Sequence, residues 1–151
     1  MKKFHFKLEA VLTDRKRTED MRMKEWSIVN RMLGDLKNEH LMLEARLKSA
    51  LVEATEFASA PQVSPAILAE TERFIQGVKQ RIEWKNNDVI RAEKFVEQRR
   101  AAWFAARQKR MILDKIRDKR VEEHHQEARD QENRNVDDLM VMRARLREEE
   151  Q

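Results

Sequence analysis

The segment from Ser59 to Pro65 holds both prolines of this 151-residue chain, and it constrains the fold more than any other stretch. A proline inside a helix removes a backbone hydrogen-bond donor and clashes with the preceding turn. We therefore expect one helix over residues 4–58, a turn over 59–65, and a second helix from residue 65. Ser64 suits the N-cap of the second helix, because its side chain can accept a hydrogen bond from the first turn.

Apolar residues on both sides of the turn recur at alternating spacings of three and four, which is typical of a coiled-coil seam. The two seams meet layer by layer if the chain doubles back, so that Leu43 faces Ile82 and His40 faces Lys85. The upstream seam comprises Trp26, Val29, Leu33, Leu36, His40, Leu43, Leu47, Ala50, Ala54 and Phe57. The downstream seam comprises Leu68, Thr71, Ile75, Val78, Ile82, Lys85, Val89, Ala92, Val96 and Arg99. The sequence thus predicts an all-α fold, a long antiparallel two-helix coiled-coil hairpin.

Two layers far from the turn pair a tryptophan with an arginine. In the same register Trp26 meets Arg99, and Arg22 meets Trp103. We expect each guanidinium to lie on the face of the opposite indole, as in a cation–π contact. The neighbouring seam position Glu19 is charged as well. Such polar layers weaken packing, but they can fix the alignment of two helices.

Composition excludes several other classes of protein. The chain is 40% charged and 6% aromatic, with two glycines and no cysteine, which is typical of long helices rather than of a compact globule. No run approaches the roughly eighteen apolar residues that are needed to cross a bilayer. The lack of cysteine excludes disulfides and is compatible with a cytoplasmic location.

Basic residues concentrate at the open end of the predicted hairpin. Nine Lys/Arg and two Asp lie between Arg99 and Arg120, and residues 1–26 hold eight basic and five acidic side chains. A basic surface can bind nucleic acid, but interleaved charges on an exposed helix more often form a solvated face. We therefore expect no nucleic acid among the partners.

The hairpin is expected to end near Arg120, which divides the chain into a hairpin over 1–120 and an acidic extension over 121–151. The extension holds ten acidic and five basic residues, and the stretch 121–135 has almost no apolar side chain. This stretch is either an exposed helix or a frayed or disordered segment. Because it has no seam partner, we expect its removal to leave the hairpin's stability nearly unchanged. A short apolar stripe follows, formed by Val136, Leu139, Met140, Arg143 and Leu146.

The sequence contains no pattern that is typical of an enzyme. Gly34 and Gly77 are too far apart to form a phosphate-binding loop. The adjacent His124 and His125 point about 100° apart on a helix, whereas zinc ligands on a helix are spaced four residues apart. The acidic residues have no cleft that would raise a carboxyl pKa for catalysis. We expect no catalytic residue, no metal and no cofactor.

Leu51 and Phe74 are large apolar residues that lie beside the seam rather than on it, on the same side of the hairpin. Apolar groups ringed by polar ones often mark a binding site. The alternative is that both side chains widen the core near the turn. The candidate partner-binding strip comprises His40, Glu44, Leu47, Leu51, Phe74, Val78, Arg81 and Lys85.

The N-terminal stretch Phe4-His-Phe-Lys-Leu-Glu-Ala-Val-Leu12 resembles the F-x-F-x-L-E-x-x-L signature that opens a long helix in the FliJ family. The pair Phe74-Ile75 looks like a second hallmark of that family. The resemblance runs from Phe4 to about Arg120. It implies a component of the bacterial flagellar type III protein export apparatus.

The resemblance also implies partners. Members of the family bind the export-gate membrane protein FlhA through the hairpin surface, insert into the ring of the flagellar export ATPase, and handle export chaperones. It follows that the protein is expected in the cytoplasm, peripheral to the inner membrane through its partners. The function implied is an accessory protein that couples the ATPase ring to the gate. The alternatives are a structural coiled-coil spacer and a secretion chaperone for unfolded cargo.

Overall fold

The computed structural model describes residues 3–149, and all regular secondary structure in that range is helical. Helix α1 spans Glu9–Ser59 and helix α2 spans Pro65–Glu149. Contacts divide the chain into a terminal unit, Met1–Glu19 with Ala105–Gln151, and a central unit, Asp20–Phe104. The two helices pack against each other, which confirms the predicted helical hairpin. Within the described residues, neither helix has a stretch long and apolar enough to cross a membrane.

The turn between the helices has the predicted geometry. Helix α1 ends at Ser59 and α2 begins at Pro65. The backbone N–H of Ala66 donates to the Ser64 side-chain oxygen at 3.2 Å, and the N–H of Ile67 donates to the Ser64 carbonyl at 3.1 Å. Ser64 therefore caps α2, because its oxygens satisfy donors that the first helical turn leaves unpaired.

The core of the central unit follows the two predicted seams. Its buried residues are Leu33, Ala50, Ile75 and Val78. Most other seam positions between Trp26 and Arg99 are half-buried, because only one helix covers each seam. The pairs that cross between the helices have numbers that rise along α1 and fall along α2, which makes the packing antiparallel. These pairs are Glu25 with Arg99, Lys37 with Glu93, and Glu39 with Lys85.

The predicted layer of Phe57 and Leu68 is more open than the rest of the seam. Each of these side chains is 39% exposed. They form the last layer before the turn, so only the layer on one side covers them. The well-covered part of the seam therefore ends at the layer of Ala54 and Thr71, which are half-buried.

The two tryptophan–arginine layers differ from the prediction. The rings of Trp26 and Trp103 stack on each other, with centroids 5.2 Å apart and planes 9° from parallel. Both arginines instead contact Glu25, Arg22 at 3.0 Å and Arg99 at 3.4 Å. A carboxylate offers each guanidinium a charge-assisted hydrogen bond, which is stronger than a contact with an indole face at a partly exposed position. The indoles are then free to bury their faces against each other.

In the terminal unit, Arg110 links α2 to α1 through a polar layer. Its guanidinium donates to both carboxylate oxygens of Glu19 and to Asp114, the latter at 2.5 Å. The three side chains are largely withdrawn from solvent, with Glu19 15% exposed. Hydrogen bonds from Arg110 to the two carboxylates raise the pKa of its guanidinium. The charged seam position Glu19 thus has a specific partner near the fully buried Leu12 layer of α1.

Helix α1 begins at Glu9 and not at Phe4 as expected. Residues 3–8 are non-helical, yet Phe6 is buried and the Phe4 ring lies edge-on to His124 with centroids 5.6 Å apart. A non-helical chain advances farther per residue than a helix does. The N-terminal segment therefore reaches along α2 past Arg120, where a helix of the same residues would stop.

This contact corrects the expectation that residues after Arg120 have no partner. Val121, His124 and Ala128 are half-buried, at the same spacings of three and four as the seam before them. Beyond Ala128, every described side chain is exposed. The packing surface of α2 thus extends about two turns farther than the sequence indicated.

The polar stretch 121–135 is helical throughout and mostly exposed, which decides between the alternatives left open by the sequence. Side chains one or two turns apart pair along its surface. Arg120 contacts Glu123 at 3.3 Å, and Arg129 contacts Glu122 at 3.1 Å. A pair three residues apart, such as Arg120 with Glu123, stabilises an isolated helix by about 0.2–0.5 kcal/mol. Because the stretch contains neither glycine nor proline, these small contributions are not opposed by a helix breaker.

Candidate partner-binding surface

The candidate strip lies entirely in the central unit, and its apolar members differ in exposure. Leu51 is 46% exposed and Phe74 is 49% exposed. Leu47 is half-buried, and Val78 is buried at 2%. Val78 therefore belongs to the core beneath the strip. Leu51 and Phe74 supply the exposed apolar surface of the strip.

The exposure of Phe74 follows from its place beside the seam. The next residue, Ile75, is buried on the seam, and adjacent helical residues point about 100° apart. Phe74 is therefore turned away from the packing face of α2 and remains 49% exposed.

His40 and Lys85 of the strip contact carboxylates, although the sequence places them opposite each other in one layer. Lys85 contacts Glu39 at 2.6 Å instead of forming an isolated layer with His40. The hydrogen bond to Glu39 raises the pKa of the Lys85 ammonium. His40 lies 3.7 Å from Glu44 on its own helix. A carboxylate within reach is a better partner for the ammonium than an imidazole, because the two charges attract.

Glu44 and Arg81 complete the strip as exposed residues of opposite charge. Glu44 keeps about half of its side chain in solvent although it lies near His40. A mixed polar border around exposed apolar groups is the usual composition of a protein–protein interface. The structure therefore places Leu51 and Phe74 at the surface, with charged residues of both signs on the same two helices.

Sequence reasoning missed further exposed apolar residues near the turn. Val52 is 52% exposed and Ile67 is 47% exposed. Neither lies on the seam, and Phe57 and Leu68 add to the set because their layer is open. Six large apolar side chains between residues 51 and 74 are thus exposed, whereas a surface with scattered single apolar residues needs no explanation. For Val52 and Ile67, the signal was present in the sequence as apolar residues that lie off the seam.

A groove lies in the terminal unit, where residues 4–8 cross α2. This groove has a volume of about 430 Å³ and is lined on the α2 side by Ile116, Arg120, Glu123, His124 and Glu127. The Nδ1 atom of His124 is buried there without a hydrogen-bond partner in the described structure. No group of three or more potential metal-binding side chains occurs among the described residues.

Comparison with known proteins identifies the family. The family model described as Flagellar FliJ protein matches residues 4–149, which extends the resemblance well past Arg120. No match was found among curated proteins or among solved structures. Since the family match covers nearly the whole chain, this protein belongs to the FliJ family and is a component of the bacterial flagellar export apparatus.

Proposed function

We propose that this protein couples the flagellar export ATPase ring to the membrane export gate, and that it binds the gate protein FlhA through the Leu51/Phe74 strip. Export chaperones are further partners in this proposal, and the protein acts at the cytoplasmic face of the inner membrane. The observation that carries the proposal is the exposure of Leu51 and Phe74, which are 46% and 49% accessible to solvent within the group of exposed apolar side chains near the turn.

The exposed area sets the affinity that the two side chains can contribute. Fully burying a Leu or Phe side chain stabilises a complex by about 1.5–3 kcal/mol. Because about half of each side chain is already covered, a partner would gain roughly 1 kcal/mol from each. Together the two contacts correspond to roughly a 30-fold change in the dissociation constant. The strip can therefore decide the affinity of a complex without being needed for folding.

The exposure also argues against the alternative that Leu51 and Phe74 widen the core. A residue that supports folding at this level would have lost most of its accessible surface, as Ala50 and Ile75 beside them have. A spacer, the first alternative function, has no reason to keep two such side chains in water. A chaperone for unfolded cargo is distinguishable by experiment, because its binding would not depend on two particular residues.

The test compares a double variant with a matched control. Leu51→Glu with Phe74→Glu replaces the apolar pair, while Ile28→Glu with Ile90→Glu changes two exposed isoleucines of the same unit, 59% and 43% accessible. Both variants should keep the helical content and melting temperature of the unmodified protein.

Binding to the purified cytoplasmic domain of FlhA should weaken at least roughly 30-fold in the first variant and stay within about twofold in the second. Swimming motility should fall in parallel with binding. Equal weakening in both variants would indicate a general charge effect, and undiminished binding by the Leu51/Phe74 variant would remove the strip from the gate contact. If that variant unfolded, the two residues would belong to the core.

Coupling also requires a contact with the ATPase ring, and we place it on the terminal unit. Lys119 and Arg120 are exposed there, with 79% and 67% of their side chains accessible. Clustered positive charge favours an acidic partner and makes the association sensitive to salt. Lys119→Glu should therefore weaken binding to the purified ATPase more at low salt than at high salt, without changing binding to FlhA. Equal loss of both contacts would contradict two separate surfaces.

A further inference from the structure

Four aliphatic side chains of the terminal unit are exposed on one side of it. Leu8 and Val11 are 40% and 41% exposed. On α2, Ile112 and Ile116 are 59% and 39% exposed. Leu8 and Ile116 line the same groove, so the two pairs adjoin each other. Residues three and four apart are neighbours on a helix surface, which places Val11 beside Leu8 and Ile112 beside Ile116. We refer to these four residues as the terminal patch.

Lysines border the terminal patch on both segments of the chain. Along α2, Lys109 precedes Ile112 by three residues, and Lys119 follows Ile116 by three. This part of the patch therefore lies between two lysines on the same face of the helix. Lys7 lines the groove next to the patch. Neither Lys7 nor Lys109 forms an ion pair with a described residue, so their charges are available to an outside partner.

Acidic residues are fewer than basic ones on this side of the terminal unit. Arg15 and Arg120 add to the positive charge of the three lysines, whereas the acidic residues are Asp14 and Glu123. Glu123 is already engaged, because it contacts Lys119 at 4.0 Å and Arg120 at 3.3 Å. Five basic side chains thus accompany two acidic ones around the terminal patch. This excess favours an anionic partner.

The opposite side of the terminal unit carries a mixture of charges. Helix geometry places a second set of charged residues on the far side of their helices from Val11 and Ile116. This set contains both signs and comprises Glu9, Lys16, Arg107, Asp114 and Asp118. The excess of basic residues in this part of the molecule therefore coincides with the side that exposes the terminal patch.

We propose that the terminal patch binds the surface of a phospholipid membrane that contains anionic headgroups. The four aliphatic side chains insert at the boundary between headgroups and acyl chains, and the lysines contact lipid phosphates. A lysine stem lies along apolar surface while its ammonium group reaches the headgroups. The proposal adds a direct lipid contact to the peripheral location that is expected through partners. It does not depend on the contacts with the gate or the ATPase.

A membrane fits this composition better than a protein partner does. Protein–protein interfaces are enriched in aromatic residues and depleted of lysine. The terminal patch is aliphatic and has lysines beside it, a combination that is typical of membrane-binding helices. Its two halves lie on adjacent segments, so all four side chains can enter one planar surface together. The strip at Leu51 and Phe74 differs, because charged residues of both signs accompany it.

Binding of the full chain to lipid vesicles is the direct test. Vesicles of phosphatidylcholine with about 30% phosphatidylglycerol should bind the protein at least about tenfold more tightly than vesicles of phosphatidylcholine alone. Raising the salt concentration should weaken this binding, because salt screens the attraction between exposed charges. Co-sedimentation with the vesicles measures both effects without any protein partner.

Charge reversal with a matched control locates the binding face. Lys109→Glu should weaken binding to the anionic vesicles about tenfold, because it removes one basic contact and adds a repelled charge. Lys16→Glu changes the net charge of the protein by the same amount. Lys16 points about 140° away from Val11 around α1, so this variant should bind within about twofold of the unmodified protein.

Replacement of the aliphatic side chains tests insertion. Ile112→Ser with Ile116→Ser should weaken vesicle binding about tenfold or more, because it removes two of the four apolar groups. Met111→Ser is the control, since Met111 is 40% exposed but points about 100° away from Ile112. Circular dichroism checks that the variants fold. Ile112→Ser alone, at the most exposed of the four positions, replaces the double variant if that one is unfolded.

A polarity-sensitive dye reports which side chains enter the lipid. The chain contains no cysteine, so Ile112→Cys or Met111→Cys provides a single attachment point. Emission of the dye should shift to the blue on addition of anionic vesicles at position 112 and hardly change at position 111.

Three outcomes overturn the proposal. The first is that the protein fails to bind anionic vesicles, or binds neutral ones equally well. The second is that Lys109→Glu and Lys16→Glu have the same effect, or that the dye responds equally at both positions. The third is that vesicles are not bound while the Ile112/Ile116 variant loses binding to the purified export ATPase, which would assign the terminal patch to a protein partner.

Discussion

The contact between the N-terminal segment and α2 beyond Arg120 makes a prediction about truncated chains. Ending the chain after Arg120 should destabilise the protein, whereas ending it after Asn135 should not. The first truncation removes His124, which contacts Phe4, and Ala128, which is half-buried. The second removes only residues whose described side chains are exposed.

The expected loss of folding stability follows from the side chains that the first truncation exposes to solvent. The edge-on contact between Phe4 and His124, at 5.6 Å, is of a kind worth about 0.5–1.5 kcal/mol. Phe6 is buried at 8% and shares its groove with Glu123 and His124, so removing this wall would return part of the ring to water. Re-exposing about half of a Phe costs roughly 1 kcal/mol. The sum is about 1.5–2.5 kcal/mol, which corresponds to a melting temperature lower by roughly 3–10 °C in a protein of this size.

Thermal unfolding monitored by circular dichroism in dilute solution measures both truncations. A double-mutant cycle supplies the control: Phe4→Ala should destabilise the full chain but have little further effect on the chain that ends at Arg120. If both truncations leave the melting temperature within about 2 °C of the full chain, the N-terminal segment does not depend on α2 beyond Arg120. If Phe4→Ala costs the same in both backgrounds, Phe4 acts through some residue other than those removed.

Three further predictions concern the central unit. Gly34→Ala should stabilise the protein by on the order of 1 kcal/mol, because the added methyl meets nothing within 4 Å and alanine favours the helix; a lower melting temperature would contradict this. Cysteines at Ala50 and Ile75, both buried on facing seams, should form an intramolecular disulfide more readily than cysteines at Ala50 and Val78; equal yields would contradict the register. Because the pKa of Lys85 is raised above its usual 10.5, its ion pair should stabilise the fold below that pH and lose its contribution as the pH rises further. The stability difference between the unmodified protein and Lys85→Met should therefore shrink only in strongly alkaline solution, as measured by denaturant unfolding.

The sequence by itself determined the fold class and the position of the turn. Both follow from local rules, because a proline pair stops a helix wherever it occurs and Ser64 can cap the next helix without help from distant residues. The seam was also predictable in the central unit, where Ala50, Ile75 and Val78 are buried as the heptad spacing indicated. Antiparallel packing then follows from a short connection. The FliJ signature at Phe4 likewise indicated the family that the match over residues 4–149 established.

Tertiary structure decided which partner each polar or aromatic side chain takes. Spacing placed Trp26 opposite Arg99, but the fold brought Glu25 within reach of the arginine and left the indole to stack on Trp103. Lys85 likewise forms an ion pair with Glu39, although the register places it opposite His40. Long side chains reach across more than one layer of the seam. A charged side chain therefore pairs with the oppositely charged group within its reach, even when the register places another residue opposite it.

The extent of packing along α2 also required the tertiary structure. The sequence predicts the start of a helix over residues 4–8 because no glycine or proline separates them from α1, yet they are non-helical. Burial of Phe6 and the contact of Phe4 with His124 stabilise this non-helical conformation. Helical hydrogen bonds at a frayed end contribute little, whereas two aromatic rings can bury a large area only if the chain leaves the helix to reach α2. Long-range burial therefore outweighed the local helical preference at this end of the molecule.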